Sequence, residues 1–204
     1  MHCDREGILV WQDLPSPNLP SGYEDYAKKN FEDESKRIIT AFRNHPSIIQ
    51  WVVFNEGWGQ FDTERMTQIV IGEVGQSLVC CASGWVDAPI GDIKDSHSYP
   101  NPSCPLDETR AGVCGEYGGI TLKVQGHIWP GGDFQYTTVE TGKDFTVLFN
   151  NLADKVIDHY YYGLNAAVYT QLSDVEIEKN GIYTYDRRVL KPCLLYPSDA
   201  ADEE

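Results

Sequence analysis

The sequence predicts an α/β protein built on parallel strands, and three observations carry that expectation. Short apolar runs alternate with amphipathic segments, most runs end in a polar cluster, and the richest run, Ser47-Ile48-Ile49-Gln50-Trp51-Val52-Val53-Phe54, lacks the polar/apolar alternation of a half-exposed strand. A near-continuous β-branched and aromatic run of that length fits a strand covered on both faces. Alternation of such strands with helices implies right-handed crossovers and a parallel sheet, whose ligands bind at the carboxyl ends of the strands.

Taken in order, Gly7–Asp13 reads as the first strand, after a polar opening, and the Pro-rich stretch from Leu14 to Gly22 as a loop. From Tyr23 to Asn44, Ala27, Phe31, Ile38, Ile39 and Phe42 recur near helical spacing, and Asn44-His45-Pro46 ends the pattern. Ser47–Phe54 is the second strand and leads into Asn55-Glu56-Gly57-Trp58-Gly59. Asp62 is placed to cap a second helix carrying Met66, Ile69, Val70 and Val74. The strand Leu78–Cys81 follows, then a short strand near Asp92–Ser96 that runs into His97-Ser98-Tyr99-Pro100. Ala111–Cys114 runs into Gly115-Glu116-Tyr117-Gly118-Gly119. Thr146–Tyr162 reads as a helix stopped by Gly163, and Ala166–Tyr169 as the last strand. Six strands result, and counting units favours an eight-unit barrel, the (β/α)8 TIM barrel, incomplete by two.

With 204 residues, 41% hydrophobic, one core-bearing unit is expected. Residues 1–190 form that unit, and 191–204, which lack any periodicity, are expected to be a non-native or disordered tail. The formal charge of −15 disfavours nucleic acid and anionic lipid as partners and suits a neutral sugar. Five Trp and twelve Tyr supply flat faces with polar edges of the kind sugars stack on. The six cysteines show no CxxC pair and read as thiols. No run approaches the roughly 20 apolar residues of a membrane span, no signal-peptide pattern opens the chain, and no metal or cofactor motif is recognisable.

Two glutamates stand directly after apolar strands between or beside glycines, Glu56 and Glu116. Two carboxyl groups facing each other across a cleft are what glycosidic bond cleavage requires, one protonated to donate to the leaving oxygen and one ionised to attack the anomeric carbon. Like-charge repulsion keeps the proton on the first while the second is ionised, and vanishes once the second is esterified. Position alone leaves an alternative open, that both are helix-start or surface charges.

Arg43-Asn44-His45-Pro46-Ser47-Ile48-Ile49-Gln50-Trp51 with Asn55-Glu56-Gly57-Trp58-Gly59 resembles the acid/base signature of glycoside hydrolase family 2, the family of β-galactosidases, β-glucuronidases and β-mannosidases. Cys3–Asp13 resembles its third barrel strand, Gly115-Glu116-Tyr117-Gly118-Gly119 its seventh, and Tyr169–Glu176 with Asn180–Arg187 its eighth strand and exit loop. The resemblance covers about residues 2 to 190 and implies a (β/α)8 barrel holding strands three to eight, with one and two and the family's β-sandwich domains missing. It also implies a glycosidase that cleaves terminal β-O-glycosidic bonds with retention, with Glu56 as acid/base, Glu116 as nucleophile, and Asn55 bonded to the sugar 2-hydroxyl. Tyr99 and His97 are candidate rim residues, Tyr99 as a donor to Glu116, and Asp13 is a candidate ligand of a sugar hydroxyl. Trp58, Trp129 and Tyr169 are candidate stacking platforms. The rival readings are an inactive partial barrel and a sugar-binding module without chemistry.

Overall fold

The structure, a computed structural model, describes residues 2–16 and 24–193. Its elements are α1 (His2–Glu6), β1 (Val10–Asp13), α2 (Asp25–Phe42), β2 (Ile48–Asn55), α3 (Thr63–Val74) and β3 (Leu78–Ser83), then β4 (Ile93–Ser98), β5 (Ala111–Gly118), β6 (Ile120–Thr121), β7 (Thr137–Thr138), α4 (Gly142–Tyr161) and β8 (Ala166–Thr170). The class is α/β, with parallel strands alternating with helices, consistent with an incomplete (β/α) barrel.

The described residues group into two compact units, those up to Ser96 with Pro105–Val113, and His97–Cys104 with those from Cys114 on. The division falls within strands, since β4 changes unit after Ser96 and β5 after Val113.

In the first unit the strand order is β1-β2-β3-β4-β5. β1 pairs with β2 in parallel, Asp13 opposite Val52, and β2 with β3, Asn55 opposite Ser83. Trp51, Val52, Val53 and Phe54 are all buried, as a strand covered on both faces requires. Helix α2 covers the sheet with Phe31, Ser35 and Ile39, four residues apart, and α3 with Met66, Val70 and Val74. The Phe31 ring stacks on Phe54 at 5.5 Å.

Several expected boundaries move. The opening is helical, and the first strand starts at Val10, three residues later than expected, because Gly7 turns at φ +69° and leaves Ile8 and Leu9 exposed. Asp4 in α1 accepts from the Ser47 amide (3.1 Å) and pairs with His45 Nδ1 (2.7 Å), pinning α1 to the entry of β2. Hydrogen bonding from the Ser47 side chain, then from His45, holds the Asp4 carboxyl well below the usual carboxylate range. Asp62 occupies the position before α3, but at φ 41° its side chain makes no cap bond and faces Arg65 Nη2 at 3.6 Å. Tyr23 and most of the Pro-rich loop lie outside the described residues.

The second unit holds the C-terminal ends of β4 (from His97) and β5 (from Cys114), then β8, with the small parallel pair β6–β7. Phe145 and Leu152 of α4 pack against Ile120, Leu122 and Tyr117. Helix α4 begins four residues earlier than expected, at Gly142, because the Thr141 hydroxyl accepts from the Asp144 amide at 3.1 Å.

Residues 191–193, expected to open the tail, make defined bonds. Lys191 is fully buried, its Nζ 2.5 Å from Asp174 Oδ1, and Thr146 Oγ1 accepts from the Cys193 amide at 3.0 Å. A buried ammonium needs such a partner, so residues 191–193 are built into this unit. Residues 194–204 lie outside the described residues. No helix among the described residues is long and apolar enough to cross a membrane.

Candidate active site

In the first unit the chemistry gathers where β2 ends. Asn55 is the last residue of the strand, and the chain reverses immediately after it, with the Trp58 amide donating to the Asn55 carbonyl at 3.0 Å. Both central residues of this turn have positive φ, Glu56 at 54° and Gly57 at 78°. Glycine adopts that region freely, whereas a glutamate there is strained, the kind of backbone that functional sites retain. The turn is held from the neighbouring strand. Ser83, opposite Asn55 in register, accepts the Glu56 amide on its carbonyl (2.9 Å) and donates its hydroxyl to Asn55 Oδ1 (2.6 Å). With its oxygen engaged, the Asn55 amide keeps its NH2 group for donation to a ligand. The Trp58 indole N–H donates to Glu56 Oε2 at 3.3 Å, and its ring is 43% exposed. Asn55, Glu56 and Trp58 are thus brought together. Asp13 is exposed at the end of β1, in the same sheet.

In the second unit β5 alternates its side chains, sending Tyr117 into the core and leaving Glu116 half-buried on the other face. Tyr99, just past β4, donates its phenol hydrogen to Glu116 Oε2. Burial, then the nearby Glu116 charge, push the Tyr99 phenol far up, so it remains a donor throughout the physiological range. His97 is buried, its Nδ1 3.6 Å from the same oxygen, beyond hydrogen-bond length. His97, Tyr99 and Glu116 therefore form one cluster.

The glycines after Glu116 have a steric reason. Gly118 (φ +102°) and Gly119 (φ +65°) turn the chain where rings close in: a Cβ on Gly118 would stand 2.3 Å from the Tyr169 ring, and one on Gly119 would stand 2.5 Å from Tyr136 and 3.0 Å from Tyr99. Tyr136 stacks on Tyr99 at 3.8 Å, nearly parallel.

Two expected platforms differ in what their rings do. Tyr169 packs edge-on to Tyr117 and Phe149 and lies over Gly118, so its ring serves the core of this unit. Trp129 lies against Tyr185 at 4.8 Å and remains 38% exposed. Sequence reasoning missed Ser83 and Tyr136. Ser83 had a usable signal, a polar residue closing an apolar run, but Tyr136 sits in a Gly-rich segment without periodicity.

No protein-family model matches the chain. A protein of Formosa agariphila carried under a provisional β-glucuronidase name is 38% identical over 63 residues, 31% of this chain and 8% of that protein. Among solved structures, a GH2 β-galacturonidase from Eisenbergiella tayi, bound to galacturonate, matches 98% of this chain and 41% of its own with a TM-score of 0.63 at 15% identity. A β-D-mannosidase from Dictyoglomus thermophilum matches 93% of this chain and 31% of its own (TM-score 0.62, 15% identity). A β-glucuronidase from Parabacteroides merdae matches 93% and 30% (TM-score 0.57, 14% identity). The chain spans less than half the length of each of these proteins. Its fold is nonetheless similar to part of each of these three glycosidase structures, one of them a GH2 enzyme, the family that its sequence motifs resemble.

Proposed function

We propose that this chain is the catalytic part of a family 2 β-glycosidase that works with retention of configuration, Glu116 attacking and Glu56 transferring the proton. The observation that carries the reading is the hydrogen bond from Tyr99 to Glu116, a strand-end carboxylate held by a phenol that stays protonated. A donor on one oxygen favours the ionised carboxylate a nucleophile needs.

In the first step a Glu116 oxygen bonds to the anomeric carbon, the glycosidic C–O bond breaks, and Glu56 gives its proton to the departing oxygen. In the second, Glu56 takes a proton from water, the water oxygen attacks the anomeric carbon from the opposite face, and the ester bond to Glu116 breaks. Two inversions restore the β configuration. The Asn55 NH2 group, oriented by Ser83, donates to the sugar 2-hydroxyl, and Trp58 offers its exposed face beside Glu56. The reading requires the two carboxyl groups about 5 to 5.5 Å apart across the sugar, where an inverting enzyme needs roughly 6.5 to 9.5 Å. The net charge of −15 favours neutral sugars over uronates, although two of the structural neighbours are uronidases by name.

The test is chemical rescue. Glu116→Gln abolishes turnover of all aryl β-glycosides. Glu56→Ala loses most on substrates with poor leaving groups and recovers with azide, giving the β-glycosyl azide; an α-azide product refutes both roles.

A further inference from the structure

In the first unit the turn that carries Glu56 is braced by the loop that follows β3, residues 84–92. Ser83, where that loop begins, holds Asn55 through its hydroxyl and the Glu56 amide through its carbonyl. Val86 extends the contact. A Cβ on Gly57 would stand 2.7 Å from Val86 Cγ2, so the valine fills the space beside the turn, and the Val86 carbonyl accepts from Gln60 Nε2 at 3.4 Å. Residues 55, 56, 57 and 60 therefore all meet residue 83 or 86. On the other side Ser16 Oγ donates to the Trp58 carbonyl at 2.7 Å. Glu56 sits at φ 54°, and a strained backbone of that kind persists only where its surroundings fix it.

The loop is fixed in turn by Arg110, whose side chain is 7% exposed and has every N–H donor engaged. Nη1 donates to Asp87 Oδ1 and to the Ala88 carbonyl, and Nη2 to Asp87 Oδ2 and Asp107 Oδ2, each at 2.8 Å. Nε donates to Asp107 Oδ2 at 3.2 Å. Asp107 is itself locked, its Oδ1 accepting from the Thr109 and Arg110 amides at 3.0 and 3.1 Å. A two-pronged bond onto Asp87 sets both the place and the orientation of the residue next to Val86. Val86 is 41% exposed, so burial in the core does not seat it, whereas the fork on the adjoining Asp87 does. Ion pairs in solvent hold little, but this one is sheltered and fully hydrogen-bonded.

We propose that Arg110 is a positioning residue for Glu56. It clamps the 84–92 loop through Asp87, the clamped loop keeps Val86 against Gly57, and the strained turn then holds the Glu56 carboxyl where the leaving oxygen is protonated. The proposal rests on the glycosidase reading for the role of Glu56 and goes beyond it by placing control of that role on a guanidinium in another part of the unit.

The test combines amide hydrogen exchange with kinetics on the 204-residue chain. Arg110→Lys keeps the charge and loses the fork, whereas Val86→Ala keeps the fork and loses the contact with Gly57. Exchange at the Glu56 and Trp58 amides should quicken roughly tenfold to a hundredfold in Arg110→Lys and roughly threefold to tenfold in Val86→Ala, with the Val52 and Val53 amides unchanged. The substrates are phenyl and 2,4-dinitrophenyl β-D-galactosides, -glucosides, -mannosides and -glucuronides. Both variants should lose more kcat/KM on the phenyl glycosides, because only the poorer leaving group needs the proton. In a Glu56→Ala background Arg110→Lys should lower the rate no further, whereas a general structural loss would multiply with it. Unchanged exchange at Glu56 and Trp58 in every variant that folds, or equal rate loss on both leaving groups, overturns the proposal. If the wild-type chain hydrolyses none of these glycosides the glycosidase reading fails, while quickened exchange confined to the turn still establishes the clamp.

Discussion

Replacing Lys191 with Ala leaves the Asp174 carboxylate buried without its counter-charge. Both side chains are fully buried, with Lys191 Nζ 2.5 Å from Asp174 Oδ1 and also donating to the Lys179 carbonyl at 3.0 Å, while Asp174 accepts from the Gly181 amide at 2.8 Å. Burial works against both charges, raising the Asp174 pKa and lowering that of Lys191. Removing one member of such a pair costs about 3–5 kcal/mol. At roughly 2–4 °C per kcal/mol for a chain of this size, the melting midpoint falls by roughly 6–20 °C. The double variant Asp174→Leu/Lys191→Met removes both charges and leaves the Gly181 amide and Lys179 carbonyl unpaired, a cost of about 1–3 kcal/mol each. Urea melts followed by near-ultraviolet circular dichroism, run as a double-mutant cycle, should show a coupling above about 2 kcal/mol. If Lys191→Ala costs less than about 1 kcal/mol, as an exposed pair would, with additive singles, then Lys191 lies in solvent and the buried-pair account fails.

Three further outcomes follow from the structure. Hydrogen bonds from Lys36 and Arg65 bring the Glu32 carboxyl from its ordinary 4.5 down to about 2. Its folded-state value is depressed, so the stabilisation it lends is fully present above 4.5 and is lost as the pH falls through about 2; acid melts of Glu32→Gln should slope less than wild type in that window. Gly112→Ala puts a Cβ 1.8 Å from the Pro105 carbonyl oxygen, a backbone atom that cannot rotate away, and costs about 2 kcal/mol or more, whereas Gly72→Ala, on an exposed face of α3 with nothing within 4 Å, gains about 0.5–1 kcal/mol in the same melts. Tyr99→Phe removes a hydrogen bond to a charged acceptor, worth about 1.5–3 kcal/mol, and lowers kcat/KM for aryl β-glycosides roughly tenfold to a hundredfold while the melting midpoint stays near that of wild type.

Strands β2 and β3 were legible because buried parallel strands write themselves as dense apolar runs, Trp51–Phe54 being the clearest case, whereas β4, Ile93-Lys94-Asp95-Ser96-His97-Ser98 with alternate residues buried, carries a weaker signal. Strand ends were less legible. Ser83 and Tyr117 continue β3 and β5 into polar or Gly-rich sequence, because hydrogen bonding to a neighbouring strand, not side-chain pattern, decides where pairing stops. The two-residue strands β6 and β7 carry no periodicity at all. Asp62 shows the limit of capping rules, since residue type suggests a cap and the backbone dihedral decides whether the side chain reaches. Lys191 misled in the opposite direction, because a charged residue opening an aperiodic stretch reads as tail unless its buried partner, 17 residues upstream, is known. Among the candidate residues, Glu56, Asn55 and Trp58 were readable as neighbours in sequence, and Tyr99 as a donor to Glu116 from its place at a strand end. The support from Ser83 and Tyr136 was not, since each reaches its partner only through the register of adjacent strands or the course of a loop.

Whether Glu116 forms a bond to the anomeric carbon is open to a single measurement. An activated 2-deoxy-2-fluoro β-glycoside slows both steps by destabilising the oxocarbenium-like transition states, and its good leaving group lets the ester accumulate. Mass spectrometry of the digested protein should then find one fluoroglycosyl adduct, on Glu116, that water slowly releases as the β anomer. An adduct on any other residue, or turnover to the α anomer with no adduct, would contradict the assignment.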